Sequence, residues 1–302
     1  MKKKSKEDAT PRSRNKKLFI TTALAIIIMF ILVAYILYIH PGQSVKPKAA
    51  IIDQLNSSML SPISHFENIT FVNATRDLLY DRFSAVDYYS DNATIEQYRR
   101  LSTEGYKLVV WRAHSALDNN SMFIAISTSE VYDPSSNEYS NYFESGQATL
   151  CKIAGDPKSY VAVTPRFIRE AMIGKFEDTV LILMSCNGLK DGYDDTAKAF
   201  QEKGVRALIS WDGWVDSLVN DNAIDLFLQH MITENDTVKQ AVDKIPRQDS
   251  IWEPYGTWLD YYPHASEVAD YRIPDYREKQ ITNNMMFALM MTPRKNKVIV
   301  GS

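Results

Sequence analysis

Between Leu18 and Ile39 the chain runs LFITTALAIIIMFILVAYILYI without a single charge. As a helix this stretch rises roughly 33 Å, close to the thickness of a bilayer's hydrocarbon core. A transmembrane helix over residues 18–39 is therefore expected. Ahead of it, in MKKKSKEDATPRSRNKK, lysines and arginines far outnumber Glu7 and Asp8. The positive-inside rule makes residues 1–17 a basic cytoplasmic tail and puts the larger C-terminal part outside the cell membrane, in a single-pass arrangement. A cleaved signal peptide shares the basic start and the apolar run, but its apolar region is usually ~7–15 residues and ends at small residues. The run here is longer, and His40–Lys48 carries no A-x-A site. An uncleaved signal-anchor follows.

The acceptor pattern N-x-S/T agrees with that topology. It occurs at Asn56, Asn68, Asn73, Asn92, Asn119 and Asn235, all beyond the span, which makes these six the candidate sites of a glycoprotein. Asn, Ser and Thr are also common in surface loops, and that is the plainer explanation of the same pattern.

After the span 263 residues remain, enough for one large or two small domains. The formal net charge of −3 argues against a nucleic-acid partner. With Cys151 and Cys186 as the only cysteines, the chain is not a disulfide scaffold.

PGQSVKPK, within a stalk over residues 40–48, has two prolines, a glycine and no apolar periodicity. Beyond it the pattern alternates. AAIIDQL reads as a strand buried on both faces, and TFVNATRDLLYDRF as a crossover helix. VDYYS, YKLVVWRAH, MFIAIST, TVLILMSC and VRALISW read as further strands. TIEQYRRLSTEG, TPRFIREAM with Thr164 as cap and Pro165 in the first turn, and Thr196–Lys203 closed by Gly204 read as helices. More helices are expected over Ser217–Ile232 and Asp236–Ile245. Strands alternating with helices imply an α/β domain over residues 49–250 with a mostly parallel sheet, and the strands holding Ile51, Val109, Ile124, Leu183 and Leu208 are expected to share it. Residues 251–302, rich in Trp, Tyr and Pro, are expected to pack on that domain as a C-terminal extension.

In open α/β sheets ligands bind beyond the carboxyl ends of the strands. Two apolar runs deliver reactive side chains there: LVVWRAHSAL ends on His114 and TVLILMSCNGL on Cys186. A thiolate is a strong nucleophile, and a nearby imidazole can take and return its proton. Either residue alone is more often a satisfied polar group or a core residue; it is the pairing at two strand ends that points to chemistry. The turn at Asn187-Gly188 leaves backbone N–H groups free near Cys186 to hold an oxyanion.

These residues resemble the caspase-like superfamily of cysteine peptidases, which includes caspases, gingipains, separases, clostripain and the CHAT domains. Those families place a histidine after one strand and a cysteine after the next long strand. His114 and LILMSCNG stand in that relation, followed by AFQEKGVRALISWDGWVDS and the helix holding Ala223 and Phe227. The similarity covers roughly residues 49–244. It implies a caspase-like three-layer sandwich in which Cys186 attacks a peptide carbonyl and His114 polarises or protonates it. The partner is a peptide or protein substrate, and no cofactor is needed. The oxyanion hole would draw on Ser115, Asn187 and Gly188, although those families usually carry glycine where Ser115 stands. Trp211, Asp212 and Trp214 in SWDGWVDS would wall and charge a specificity pocket. The competing reading is a bend at Asp212-Gly213 with the tryptophans in the core.

His65, His230 and His264 have no partners at metal-ligand spacing, and no phosphate loop or paired-cysteine zinc site occurs. Asp191, Asp194 and Asp195 read as a solvated helix start rather than a calcium cluster. A Cys151–Cys186 disulfide is the alternative to a free nucleophile. A domain of this fold without turnover, acting as a surface binding or sensing module, is the alternative to the peptidase.

Overall fold

The computed structural model describes residues 26–29, 47–250 and 253–276. The chain divides into two units, 1–46 and 47–302. Of the first, residues 26–29 are helical; the rest of the expected 18–39 span lies outside the described residues. Among the described residues no helix is long and apolar enough to cross a membrane.

The second unit is an α/β domain built on a six-stranded sheet. Its strands are β1 (Lys48–Asp53), β2 (Ala85–Tyr89), β3 (Tyr106–Arg112), β8 (Thr179–Met184), β9 (Val205–Trp211) and β12 (Leu259–Tyr262). They lie in the order β12-β9-β8-β3-β1-β2. All neighbours pair in parallel except β12, which runs antiparallel to β9. The apolar runs have no polar alternation because both faces are covered. Leu108 and Val110 of β3 pack into one core with Phe71, Ile224 and Phe227. Val109 and Trp111 of the same strand pack into a second, with Tyr98, Phe167 and Phe200.

The helices arise where the sequence caps them. Helix α1 (Ile69–Leu79) starts at Asn68, whose side chain accepts from Phe71 N–H, and α2 (Ile95–Arg100) starts at Thr94. After α3 (Ser140–Glu144) and α4 (Asp195–Glu202), α5 (Ser217–Ile232) is capped by Asp216. Helix α6 (Val238–Asp243) begins with a Thr237/Gln240 capping box. The last is α7 (Ser266–Ala269). Gly204 closes α4 at φ 98°, and a Cβ there would meet the Phe176 carbonyl, so glycine is required. The expected TPRFIREAM helix contains a π-turn at Phe167–Ala171.

One sheet assignment is corrected. The strand holding Ile124, β5 (Phe123–Val131), belongs to a separate antiparallel sheet with β4 (Ser115–Asp118), β6 (Ala148–Lys152) and β7 (Ser159–Val163), in the order β4-β5-β7-β6. Only residues 113–122 separate β3 from β5, and they already contain β4. A parallel neighbour needs a crossover of roughly a dozen residues or more. The whole second sheet is instead the excursion between β3 and its true neighbour β8. Ile51, Val109, Leu183 and Leu208 do share the main sheet.

An antiparallel pair of β10 (Gln248–Ser250) and β11 (Glu253–Thr257) precedes β12. Residues 259–262 pair with β9 as an edge strand of the main sheet.

Candidate active site

Strands β3 and β8 are adjacent and parallel, with Arg112 opposite Met184. The pairing extends one residue further through Ala113 N–H to the Met184 carbonyl at 3.3 Å. His114 and Cys186 each stand two residues past that last matched pair, at the carboxyl edge of the sheet. The two loops touch directly: Ser115 Oγ donates to the Cys186 carbonyl at 2.6 Å.

The imidazole is held from two sides. Its backbone N–H donates to Gln54 Oε1 at 2.9 Å. Its ring Nε2 lies 2.9 Å from the Ser64 carbonyl, and the Phe66 ring meets it edge-on at 5.8 Å between centroids. A carbonyl can only accept, so Nε2 carries the proton and Nδ1 is left as the basic nitrogen. Burial holds the His114 pKa below its ordinary value; the Ser64 bond works against this, and the Arg112 charge adds to it.

The thiol points to the opposite neighbour. Cys186 Sγ–H donates to the Val215 carbonyl at 3.4 Å, in the loop between β9 and α5. Burial pushes the Cys186 thiol up, and the charges of Asp216 and Glu253 push in the same direction. Sulfur and imidazole make no hydrogen bond to each other, and in this arrangement both are neutral. Cys151 and Cys186 are free thiols, with Cys151 buried in β6 beside Leu60 and Tyr160.

The oxyanion donors sort by their existing bonds. Ser127 N–H donates to the His114 carbonyl, which makes Ser115 and Ile126 a pair without ladder bonds, so Ser115 N–H points away from β5. Asn187 is corrected: its N–H already donates to the Gly213 carbonyl at 2.8 Å. Gly188 N–H has no acceptor among the described residues, whereas the N–H of Cys186 faces its own sulfur. A Cβ on Gly188 would fall on Ser210 Oγ, so the chain doubles back there only with glycine. Asn187 takes φ 59°, and its buried Oδ1, like Ser185 Oγ, has no partner among the described residues.

The SWDGWVDS residues part company. Trp211 is fully buried with its indole N–H on Asn220 Oδ1, so it packs the core instead of walling a pocket. Asp212 Oδ1 accepts from Thr257 Oγ1 and Trp258 N–H at 2.7 and 2.8 Å, clamping the approach to β12. Trp214 is exposed. Asp212 also borders an open cavity of about 610 Å³ with Lys239, Asp243, Arg247 and Trp258, and neither His114 nor Cys186 lines it.

Sequence reading missed a buried ion cluster beneath His114. Arg112 donates to Asp53 Oδ1 at 2.8 Å, to both Asp221 oxygens at 2.7 and 2.8 Å, and to the Phe66 carbonyl at 2.7 Å. All three side chains are at most 2% exposed. Asn68 Nδ2 joins at 2.9 Å on Asp221. Its sequence signal was an arginine at the end of an otherwise apolar strand.

His230 does gain partners through the fold, lying 2.9 Å from Glu234 and 3.6 Å from Asp236. Lys244 Nζ sits 2.8 and 2.6 Å from those same carboxylates, so an ammonium already bridges them. Among the acceptor asparagines, Asn56 and Asn68 spend their side-chain amides on Tyr88 and Asp221. Asn73, Asn92, Asn119 and Asn235 are exposed. Comparison of the chain with protein-family models and with curated proteins gives no match.

Proposed function

We propose that this protein is a membrane-anchored cysteine peptidase of the caspase-like kind, with its domain outside the cell, Cys186 as nucleophile and His114 as acid and base. The observation that carries the reading is positional. The two residues stand at matched places past adjacent parallel strands, with their loops joined by the Ser115–Cys186 bond. In the proposed reaction the Cys186 sulfur adds to a peptide carbonyl carbon while its proton passes to His114 Nδ1. The oxyanion takes the N–H groups of Ser115 and Gly188. The imidazolium then returns the proton to the amine as the C–N bond breaks, and water hydrolyses the thioester. The uncharged run at 18–39 and the basic tail before it support the anchor and the topology.

A second reading has its own support. With Cys186 pushed up, His114 pushed down and no bond between them, the resting pair lacks a preformed thiolate. A binding or sensing module would have no use for one. Incubating the wild type and Cys186→Ala with a broad peptide library separates the two. Cleavage by the wild type alone is expected. Cleavage that survives the substitution means the nucleophile is misassigned, and none by either protein leaves the binding module standing.

A further inference from the structure

The Ser64 carbonyl that holds His114 belongs to a segment anchored from another sheet. Asp156, in the turn between β6 and β7, gathers that segment onto one carboxylate oxygen. Its Oδ2 accepts from Ser61 Oγ, from Ser64 Oγ at 2.5 Å and from Tyr160 OH at 2.8 Å. Its Oδ1 accepts from Lys158 N–H at 2.8 Å. Tyr160 OH in turn accepts from Ser61 N–H at 3.0 Å. Ser64 and Tyr160 are fully buried. The path from Asp156 to the imidazole is thus one residue long: carboxylate to Ser64 hydroxyl, Ser64 carbonyl to His114 Nε2–H.

We propose that Asp156 is a positioning residue for His114, pinning Ser61 and Ser64 so that one carbonyl fixes the ring's tautomer and heading, and lending negative charge that favours the protonated ring. The proposal rests on the peptidase reading for its purpose, though not for its test. The charged groups facing His114 act in opposite senses. The Arg112 guanidinium disfavours a second positive charge and is itself held by Asp53 and Asp221. Asp156 acts in favour of that charge. The carboxylate stays ionised to do so: burial pushes it up, but the Ser61, Ser64, Lys158 and Tyr160 donors outweigh this and hold it well below the usual range. Neutralising it leaves burial and Arg112 less opposed, so the imidazole should protonate only at lower pH. A role confined to holding the loop would move that titration only through the Ser64 bond, and Ser64→Ala would then reproduce the whole shift.

The experiment follows the five histidines of the full-length chain by NMR after labelling at the ring carbon, with His114 assigned by its loss in His114→Gln. In Asp156→Asn the His114 titration should shift to lower pH, and the single Nε2–H tautomer of the wild type should become a mixture. Asp156→Glu should restore the titration. Ser64→Ala, which cuts the link but keeps both the carbonyl and the charge, should disturb the tautomer and shift the titration less than Asp156→Asn does, and it serves if Asp156→Asn does not fold. Peptide kcat/KM in Asp156→Asn should fall on the order of 10- to 100-fold, as expected for a displaced acid–base group. A titration and tautomer unchanged from wild type in the variants overturns the proposal. A shift in a protein whose wild type cleaves nothing upholds the positioning role and refutes the peptidase reading.

Discussion

Cys186 and Cys151 are both thiols held protonated by burial, and they differ in reach. Cys151, pushed up to about 11, sits in a small core, whereas Cys186 is half-buried at a loop. Iodoacetamide should modify Cys186 faster than Cys151, slowly at neutral pH and faster once the pH passes the ordinary thiol value of about 8.5. Rapid alkylation of Cys186 at pH 6 would mean a thiolate that this geometry does not provide. The raised folded values also enter stability. Each thiol stabilises the fold fully below the unfolded value of about 8.5, and that contribution is lost as the pH rises through the folded value. Wild type should therefore lose its stability advantage over Cys151→Ala between about pH 8.5 and 11, read from urea midpoints. With a methyl group falling on Ser210 Oγ, Gly188→Ala should cost about 1–3 kcal/mol and displace the Cys186 turn.

At the level of elements, the Arg112 cluster ties β1, β3, α1 and α5 together just below the reacting residues. Asp53 closes β1, Arg112 closes β3, Asn68 caps α1 and Asp221 lies in the first turns of α5. Burial alone would push the Asp53 carboxyl up, and the Arg112 charge pulls against it. Removing one partner leaves a buried charge uncompensated, so Asp221→Ala should lower unfolding stability by about 3–5 kcal/mol. A loss under about 1 kcal/mol would show that water reaches the guanidinium. The FIAIST run has the composition of a buried parallel strand, and composition says nothing of which neighbour it meets. The short link from β3 and the turn at Asp118, whose carboxylate accepts from Asn120 and Ser121 N–H, send β5 back antiparallel on β4.

For the whole molecule, the expected topology and the described surface make a joint prediction. With the domain outside, protease added to intact cells should digest it, and protection would refute the arrangement. In a host that glycosylates N-x-S/T sites, mass mapping should find modification at Asn73, Asn92, Asn119 and Asn235. Asn56 and Asn68 should be unmodified, because their amide nitrogens are donors inside the fold. Glycan at Asn68 would require breaking its bond to Asp221 and so loosening the cluster under His114.

The linear chain carried the local decisions. Apolar runs without polar alternation marked β1, β3, β8 and β9, Gly204 set a helix end, and the ends of two such runs singled out His114 and Cys186. These signals are legible because they depend on period, capping and steric demands within a few residues. Partnership across the fold was not legible. That Asn187 N–H is spent on Gly213, that Trp211 lies in the core, that β12 joins the sheet and that Asp156 reaches Ser64 all depend on which distant segments meet. A hydrogen bond is set by distance and direction in space, and the crossover that brings β8 beside β3 is settled only when the whole sheet closes.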